Sequence, residues 1–233
     1  MKPLAAPPAA VAVFAAATDR AALYAGWLAG PGVERGLLGP REVPRLWERH
    51  LLNCAALLSP LAEALPVGRP GSGDRAQVCD LGSGAGLPGI VVALLRPDLD
   101  VVLLEPLLRR ASFLSEVVAA LELPHTTVLR ARAEEVVGTV EVDVVVARAV
   151  APLERLAGWS VPLLRPGGQL LALKGERATA ELAQAGAALD RLGIAPGRRA
   201  VLTVGTAEQV TKVVRLVRDR ASGPAADRRV HGS

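Results

Sequence analysis

The chain has 233 residues, 51% of them hydrophobic and 21% charged; this balance excludes wholesale disorder and allows a sizeable buried core. Aromatic residues make up only 3%, so that core must come from Ala, Val and Leu, and no apolar run reads as a membrane span. The net charge is +4, and from Arg191 onward nine Arg or Lys face three Asp or Glu; that end fits a polyanionic partner as well as it fits a solvated face with a frayed tail.

Residues 1–18 are Ala-rich and contain Pro7 and Pro8. They lack a strong apolar segment and read as a loose N-terminal arm rather than a signal peptide. Residues 19–74 read as a helical cap and linker. Helices are expected over 19–28 and 43–65; in the second, Leu46, Trp47, His50, Leu51 and Cys54 follow helical spacing. The stretch 66–74 is rich in Gly, Pro and Ser and reads as the linker.

From residue 75 to 220 short apolar runs alternate with helical stretches. Strands are expected at 77–81, 101–104, 127–129, 142–147 and 169–173. Helices are expected between them at 87–95, 107–121, 133–137 and 152–164, with another at 177–192. This alternation predicts a mostly parallel, doubly wound α/β sheet. Two last strands, 200–204 and 210–215, are joined by a short link and must pair antiparallel as a hairpin. Seven strands result. The tail 221–233 reads as disordered and basic.

The sharpest local signal is Asp80-Leu81-Gly82-Ser83-Gly84-Ala85-Gly86-Leu87-Pro88-Gly89, which leaves the first strand and opens the first helix. Gly82, Gly84 and Gly86 allow a tight turn and close approach of a ligand to the backbone. Leu87 stands where a dinucleotide fingerprint needs its third glycine, so the nicotinamide pattern fails. The spacing fits the loop of Rossmann-like methyltransferases, whose cofactor is S-adenosylmethionine. Glu105 ends the second strand, where a carboxylate can accept two hydrogen bonds from a ribose diol. Asp80 is placed to hold the loop or to meet the ligand's amino group. Ala133 and Glu134, after the third strand, flank the position of an adenine ring.

The fourth and fifth strands point at the acceptor. Arg148 ends the fourth; it fits a phosphate, a base edge or the cofactor carboxylate. No Asn/Asp-Pro-Pro-aromatic turn is present there, as an amino-group DNA methyltransferase would require. Cys79 lies inside a strand and Cys54 inside a helix, so neither fits as the nucleophile of a carbon-5 pyrimidine enzyme. Two such cysteines make no disulfide framework, and no Cys/His set has zinc spacing, so no metal site is expected. An acceptor needing little activation remains, such as guanine N7. Lys174 ends the fifth strand as one of only three lysines and fits a phosphate contact. His50, alone in its helix, reads as a filler on its own.

These stretches resemble the bacterial small-subunit ribosomal RNA methyltransferase G family, also called glucose-inhibited division protein B, in its actinobacterial form. The resemblance rests on residues 45–54, 80–89, Arg96-Pro-Asp, 104–110, 132–135, 147–153, Arg165-Pro-Gly-Gly and Leu173-Lys-Gly-Glu. They run in the same order over residues 43–178. It implies a class I S-adenosylmethionine-dependent fold and a monomeric, cytoplasmic enzyme with no membrane partner. The implied reaction is methylation of N7 of one guanine in the decoding-region loop of 16S rRNA, presented as rRNA or as the 30S subunit. The family's cofactor positions fall on Gly82, Leu87, Ala133, Glu134 and Arg148, with Asp80, Gly84, Gly86 and Glu105 completing the pocket. Arg148, Lys174 and His50 are the candidates for positioning the substrate, and no general base is required. Asn53 stands where many members carry Asp, and Ala131 where they carry Gly.

Other classes stay open on the residues alone. A nicotinamide oxidoreductase could use the same topology. A cofactor-binding assembly factor without catalysis, or a small-molecule methyltransferase using the N-terminal helices as a lid, would also fit.

Overall fold

The computed structural model describes residues 1–67, 75–148, 150–205 and 210–219. The expected tail and most of the expected linker lie outside them.

The sheet is built on β1 (Gln77–Leu81), β2 (Asp100–Leu104), β3 (Thr126–Leu129), β4 (Val142–Arg148), β5 (Leu164–Lys174), β6 (Arg199–Gly205) and β7 (Val210–Val217). Their order across the sheet is β3-β2-β1-β4-β5-β7-β6. The first five pair in parallel, and β7 pairs antiparallel with both β5 and β6. The order reverses between β1 and β4, so the crevice outside their carboxyl ends is the natural ligand position.

Alternation along each strand divides the core in two. Val144 and Val146 face one apolar cluster, with Leu103 of β2 and the helices α5 (Gly89–Leu95) and α6 (Leu108–Ala120). Val145 and Ala147 face the other, which contains Cys79, Leu104, Leu156 and Leu189. The second layer comes from α7 (Leu153–Ser160), α8 (Ala178–Gln184) and α9 (Gly186–Arg191). Both faces being covered, β1 and β4 are near-continuous runs of buried residues.

The N-terminal residues share the first of these clusters. The arm expected to be loose is ordered: α1 (Pro8–Phe14) buries Ala10 and Phe14. Its Phe14 ring meets Trp47 edge-on, 6.1 Å between centroids. The Leu4 amide donates to Ala22 of α2 (Thr18–Trp27) at 2.9 Å. Small residues explain the fit: a Cβ on Gly26 would sit 2.1 Å from the Lys2 carbonyl oxygen.

The long helix expected over 43–65 is broken. It runs as a 3-10 stretch (Pro40–Arg45), a π-helical stretch (Leu46–Leu52), α3 (Asn53–Ala55) and α4 (Leu58–Ala64). Pro44 and Pro60 remove backbone donors inside it. The helix expected at 177–192 is likewise divided at Ala185.

Candidate functional site

The glycine loop is held from three directions. From below, Asp80 Oδ2 accepts from Ser83 Oγ at 2.6 Å and from the Gly89 amide at 2.9 Å. From β2, Glu105 accepts from the Gly84 amide at 2.9 Å and from the Leu107 amide at 3.0 Å. From α2, the fully buried Tyr24 donates its hydroxyl to the Ala85 carbonyl at 2.8 Å. The loop itself needs glycine for two different reasons. Gly86 has φ +96°, and a Cβ there would meet Ile90 at 2.5 Å and the Tyr24 hydroxyl at 2.9 Å. Gly84 has φ +61°, but a Cβ there would find only the Gly82 carbonyl at 3.8 Å. Gly86 is therefore locked into the protein, while Gly84 borders open space.

Burial is the main cause of the electrostatics here. Asp80 is 1% exposed, and its carboxyl is pushed up to about 6, although Ser83, Gly89 and the nearby Arg148 oppose the shift. Its Oδ1 is buried with no hydrogen-bond partner. A buried acceptor beside an open glycine cradle fits a cationic, amino-bearing nucleoside. S-adenosylmethionine has that chemistry, so the residues present fit it. Asp80 through its unpartnered Oδ1, Glu105 and the open face of the loop at Gly84 would hold it.

Ala133 and Glu134 begin a 3-10 turn, Ala133–Val136, directly after β3. Ala133 is buried and belongs to the same apolar cluster as Leu81 and Leu104. Glu134 accepts from the Trp159 indole N–H at 2.6 Å. Leu87 is buried, and its amide closes the loop onto the Ser83 carbonyl at 3.3 Å.

Arg148, His50 and Lys174 come together on a second feature, a cavity of about 970 Å³. It lies against the ends of β4, β5 and β7 and the segment carrying Glu42, Arg49, His50 and Asn53. Arg148 Nη1 donates to His50 Nδ1 at 3.0 Å. His50 Nε2 lies 2.8 Å from Glu42 Oε2. Burial and the facing Arg148 hold the His50 imidazole below its ordinary range, against the pull of Glu42.

Lys174 does not stand free for a phosphate. Its side chain is 8% exposed, and its Nζ donates to Glu181 at 2.8 Å and to the Ala151 carbonyl at 2.9 Å. Both bonds hold it in the cavity wall. Both thiols are buried, and burial pushes Cys54 up to about 12 and Cys79 higher still. Neither is a nucleophile at neutral pH.

Three functional contacts were not legible from motifs. Tyr24 is the only tyrosine in the chain, which is the one signal it offered. Ser83 stands inside the loop motif, but glycine spacing gives its hydroxyl no role. Glu42 carries no signal, because its partner's partner is Arg148, far along the sequence. Two motif stretches have structural tasks instead. Arg96 clamps Asp98 through two 2.7 Å bonds and caps Leu65 at 2.9 Å. Arg165 bonds Asp143 at 2.8 Å.

Strand order and the loop's position at the reversal point define the class: this is a Rossmann-like, class I methyltransferase fold. A solved human structure, methyltransferase 10 domain containing protein, shares that fold with a TM-score of 0.53 at 10% identity, over 70% of this chain and 81% of that one.

The family model described as rRNA small subunit methyltransferase G matches residues 18–204, and the chain belongs to that family. It is 54% identical over 212 residues to the ribosomal RNA small subunit methyltransferase G of Streptomyces avermitilis, spanning 91% of this chain and 84% of that one. The protein of the same name from Salinispora arenicola is 50% identical over 234 residues, spanning 96% and 92%. A nicotinamide oxidoreductase is thereby set aside. Among the described residues no helix is long and apolar enough to cross a membrane.

Proposed function

We propose that the chain transfers a methyl group from S-adenosylmethionine to N7 of one guanine in the decoding-region loop of 16S rRNA. In this reading it works as a cytoplasmic monomer on the rRNA or the 30S subunit. The observation that carries the reading is the cavity at the ends of β4 and β5: its Val150 reaches within 3.0 Å of the Cβ position of Gly82, and its Arg148 also lowers the charge cost of Asp80.

When bound, S-adenosylmethionine supplies an electrophilic methyl group. Guanine N7 has a lone pair and no proton to lose, so its attack needs alignment and exclusion of water rather than a base. The cavity supplies fixed groups for the alignment. Its imidazole is engaged at both nitrogens, and its Lys174 and Glu181 neutralise each other. Arg148 retains guanidinium donors for guanine O6 or a phosphate, which leaves N7 to the methyl group.

The rim favours a polyanion. Apart from the neutralised Lys174–Glu181 pair, Arg49, Arg148, Arg177 and Lys212 line the cavity against Glu42 and Glu176. Arg41 and Arg45 are exposed on the 3-10 stretch beside it. Phosphate contacts there would position an RNA loop without reading its sequence.

The test is transfer of tritium from labelled S-adenosylmethionine to 30S subunits lacking this methylation, followed by digestion to nucleosides and mass analysis. Label in 7-methylguanosine is the expected result. Label in another nucleoside would overturn the acceptor assignment. Transfer to neither 30S nor naked rRNA, with cofactor binding intact, would leave a small-molecule acceptor or a non-catalytic assembly role.

A further inference from the structure

The hydrogen bonds from Arg148 outward fix each group's role. A guanidinium only donates, so His50 Nδ1, 3.0 Å from Arg148 Nη1, must be the bare nitrogen. A neutral imidazole carries one N–H, and it is then on Nε2, 2.8 Å from Glu42 Oε2. A carboxylate accepts such a proton well. All three residues line the same cavity. Glu42 and His50 come from the N-terminal segment, and Arg148 ends β4.

We propose that Glu42 is a positioning residue for methyl transfer: through His50 it holds Arg148 Nη1, so that the remaining guanidinium donors are aimed at the acceptor in the cavity. The proposal deepens the rRNA reading above and rests on it for the acceptor's identity. It makes the N-terminal segment part of the active site, in place of a lid over it. The logic is that of a metal-bound or catalytic histidine, where the bond at one ring nitrogen decides what the other can do. Without Glu42 the Nε2–H loses its charged acceptor, and only Arg148 is left to disfavour the tautomer protonated on Nδ1, which turns a donor toward another donor.

The test combines imidazole nitrogen NMR with kinetics. In the wild-type chain, 15N shifts of His50 should show a neutral ring with the proton on Nε2. In Glu42→Ala that signature should give way to mixed tautomers. Methyl transfer should fall about tenfold in kcat, the effect of one hydrogen bond at a charged group, while affinity for S-adenosylmethionine stays within about twofold. Glu42→Gln keeps an acceptor for Nε2–H and should restore the tautomer and most of kcat.

A wild-type proton on Nδ1 would overturn the proposal. So would a Glu42→Ala variant with unchanged tautomer and kcat, or a kcat loss that Glu42→Gln shares in full. The tautomer is read without any acceptor. If it is as stated but rRNA is not methylated, the substrate reading fails and the relay stands. If rRNA is methylated and the tautomer is wrong, the relay fails alone.

Discussion

Arg148 Nη1 donates to His50 Nδ1 across 3.0 Å, joining residues 98 positions apart in sequence. The contact is the seam between the N-terminal segment and the sheet. It also makes Arg148 the shared member of the two halves of the site, because its charge is felt by Asp80 under the glycine loop. Arg148→Ala should therefore lose at least about a hundredfold in methyl transfer, since it removes the proposed acceptor contacts and the charge facing Asp80 together. Arg148→Lys keeps the charge but lacks the planar fork. It should recover cofactor binding more than turnover, and equal recovery of both would argue against an acceptor role.

The His50 contact carries a pH signature. Protonation would put a proton on Nδ1 directly facing Arg148, with Arg49 a further like charge and Glu42 the only attraction. The imidazole is held below its ordinary range, so at saturating cofactor kcat should be flat through neutral pH and fall only on the acid side of a normal histidine. The stability contribution has the same sign. It is present above the unfolded pKa of about 6.5 and is lost as pH falls through the lowered folded value. His50→Asn, which offers an oxygen near the Nδ1 position, should remove this acid limb. A limb that persists unchanged belongs to another group.

Asp80 gives a second, separable limb. Its carboxyl is pushed up to about 6 by burial, so it is largely ionised at neutral pH and protonated at pH 5. A cationic methyl donor should then bind more weakly as pH falls below about 6, visible as a rise in Kd by calorimetry. The stability sign is opposite to that of His50. A raised carboxyl pKa favours the fold fully below the unfolded value near 3.9, and that benefit is lost as pH rises through about 6. Asp80→Asn should flatten both dependences and weaken binding throughout, because Ser83 and Gly89 both donate to one of its oxygens.

Tyr24 tests the support from the N-terminal side. Tyr24→Phe removes the 2.8 Å bond to Ala85 and leaves a carbonyl without its donor inside the protein. The cost should be about 1 to 2 kcal/mol by urea denaturation, with weaker cofactor binding because the loop loses one of its three anchors. The expected stability cost with unchanged cofactor affinity would show that Asp80 and Glu105 hold the loop alone.

What sequence reasoning reached and missed follows from locality. The loop residues 80–89 are contiguous, so glycine spacing and the strand before them were enough. The alternating strands were legible because the apolar period changes from 3.6 to near-continuous runs. The first residues of β5 were not, because proline and glycine, here Pro166, Gly167 and Gly168, disfavour strand interiors, yet the strand runs through them from Leu164 to Lys174. The ordered arm was missed because Ala-rich sequence has little hydrophobic bulk, while its packing depends on close backbone approach to Gly26. Glu42 could not be found at all, since its meaning lies in a partner chain of contacts that closes only in three dimensions.

Lys174 is the residue where fold and expectation diverge most, and it separates two energetic pictures. As a free phosphate ligand it would be exposed, and Lys174→Ala would weaken RNA binding and lower its salt dependence by about one charge. Its side chain is instead 8% exposed and pairs with Glu181 at 2.8 Å. Removing one partner of such a pair leaves the other carboxylate uncompensated. Glu181 retains 25% exposure and can recover some hydration, so the penalty should be moderate, about 1 to 3 kcal/mol. Lys174→Ala should therefore lower the midpoint of unfolding while leaving the salt slope of RNA binding unchanged, and adding Glu181→Gln should return part of the lost stability. A changed slope at unchanged stability would restore the phosphate role and require the ion pair to open when RNA binds.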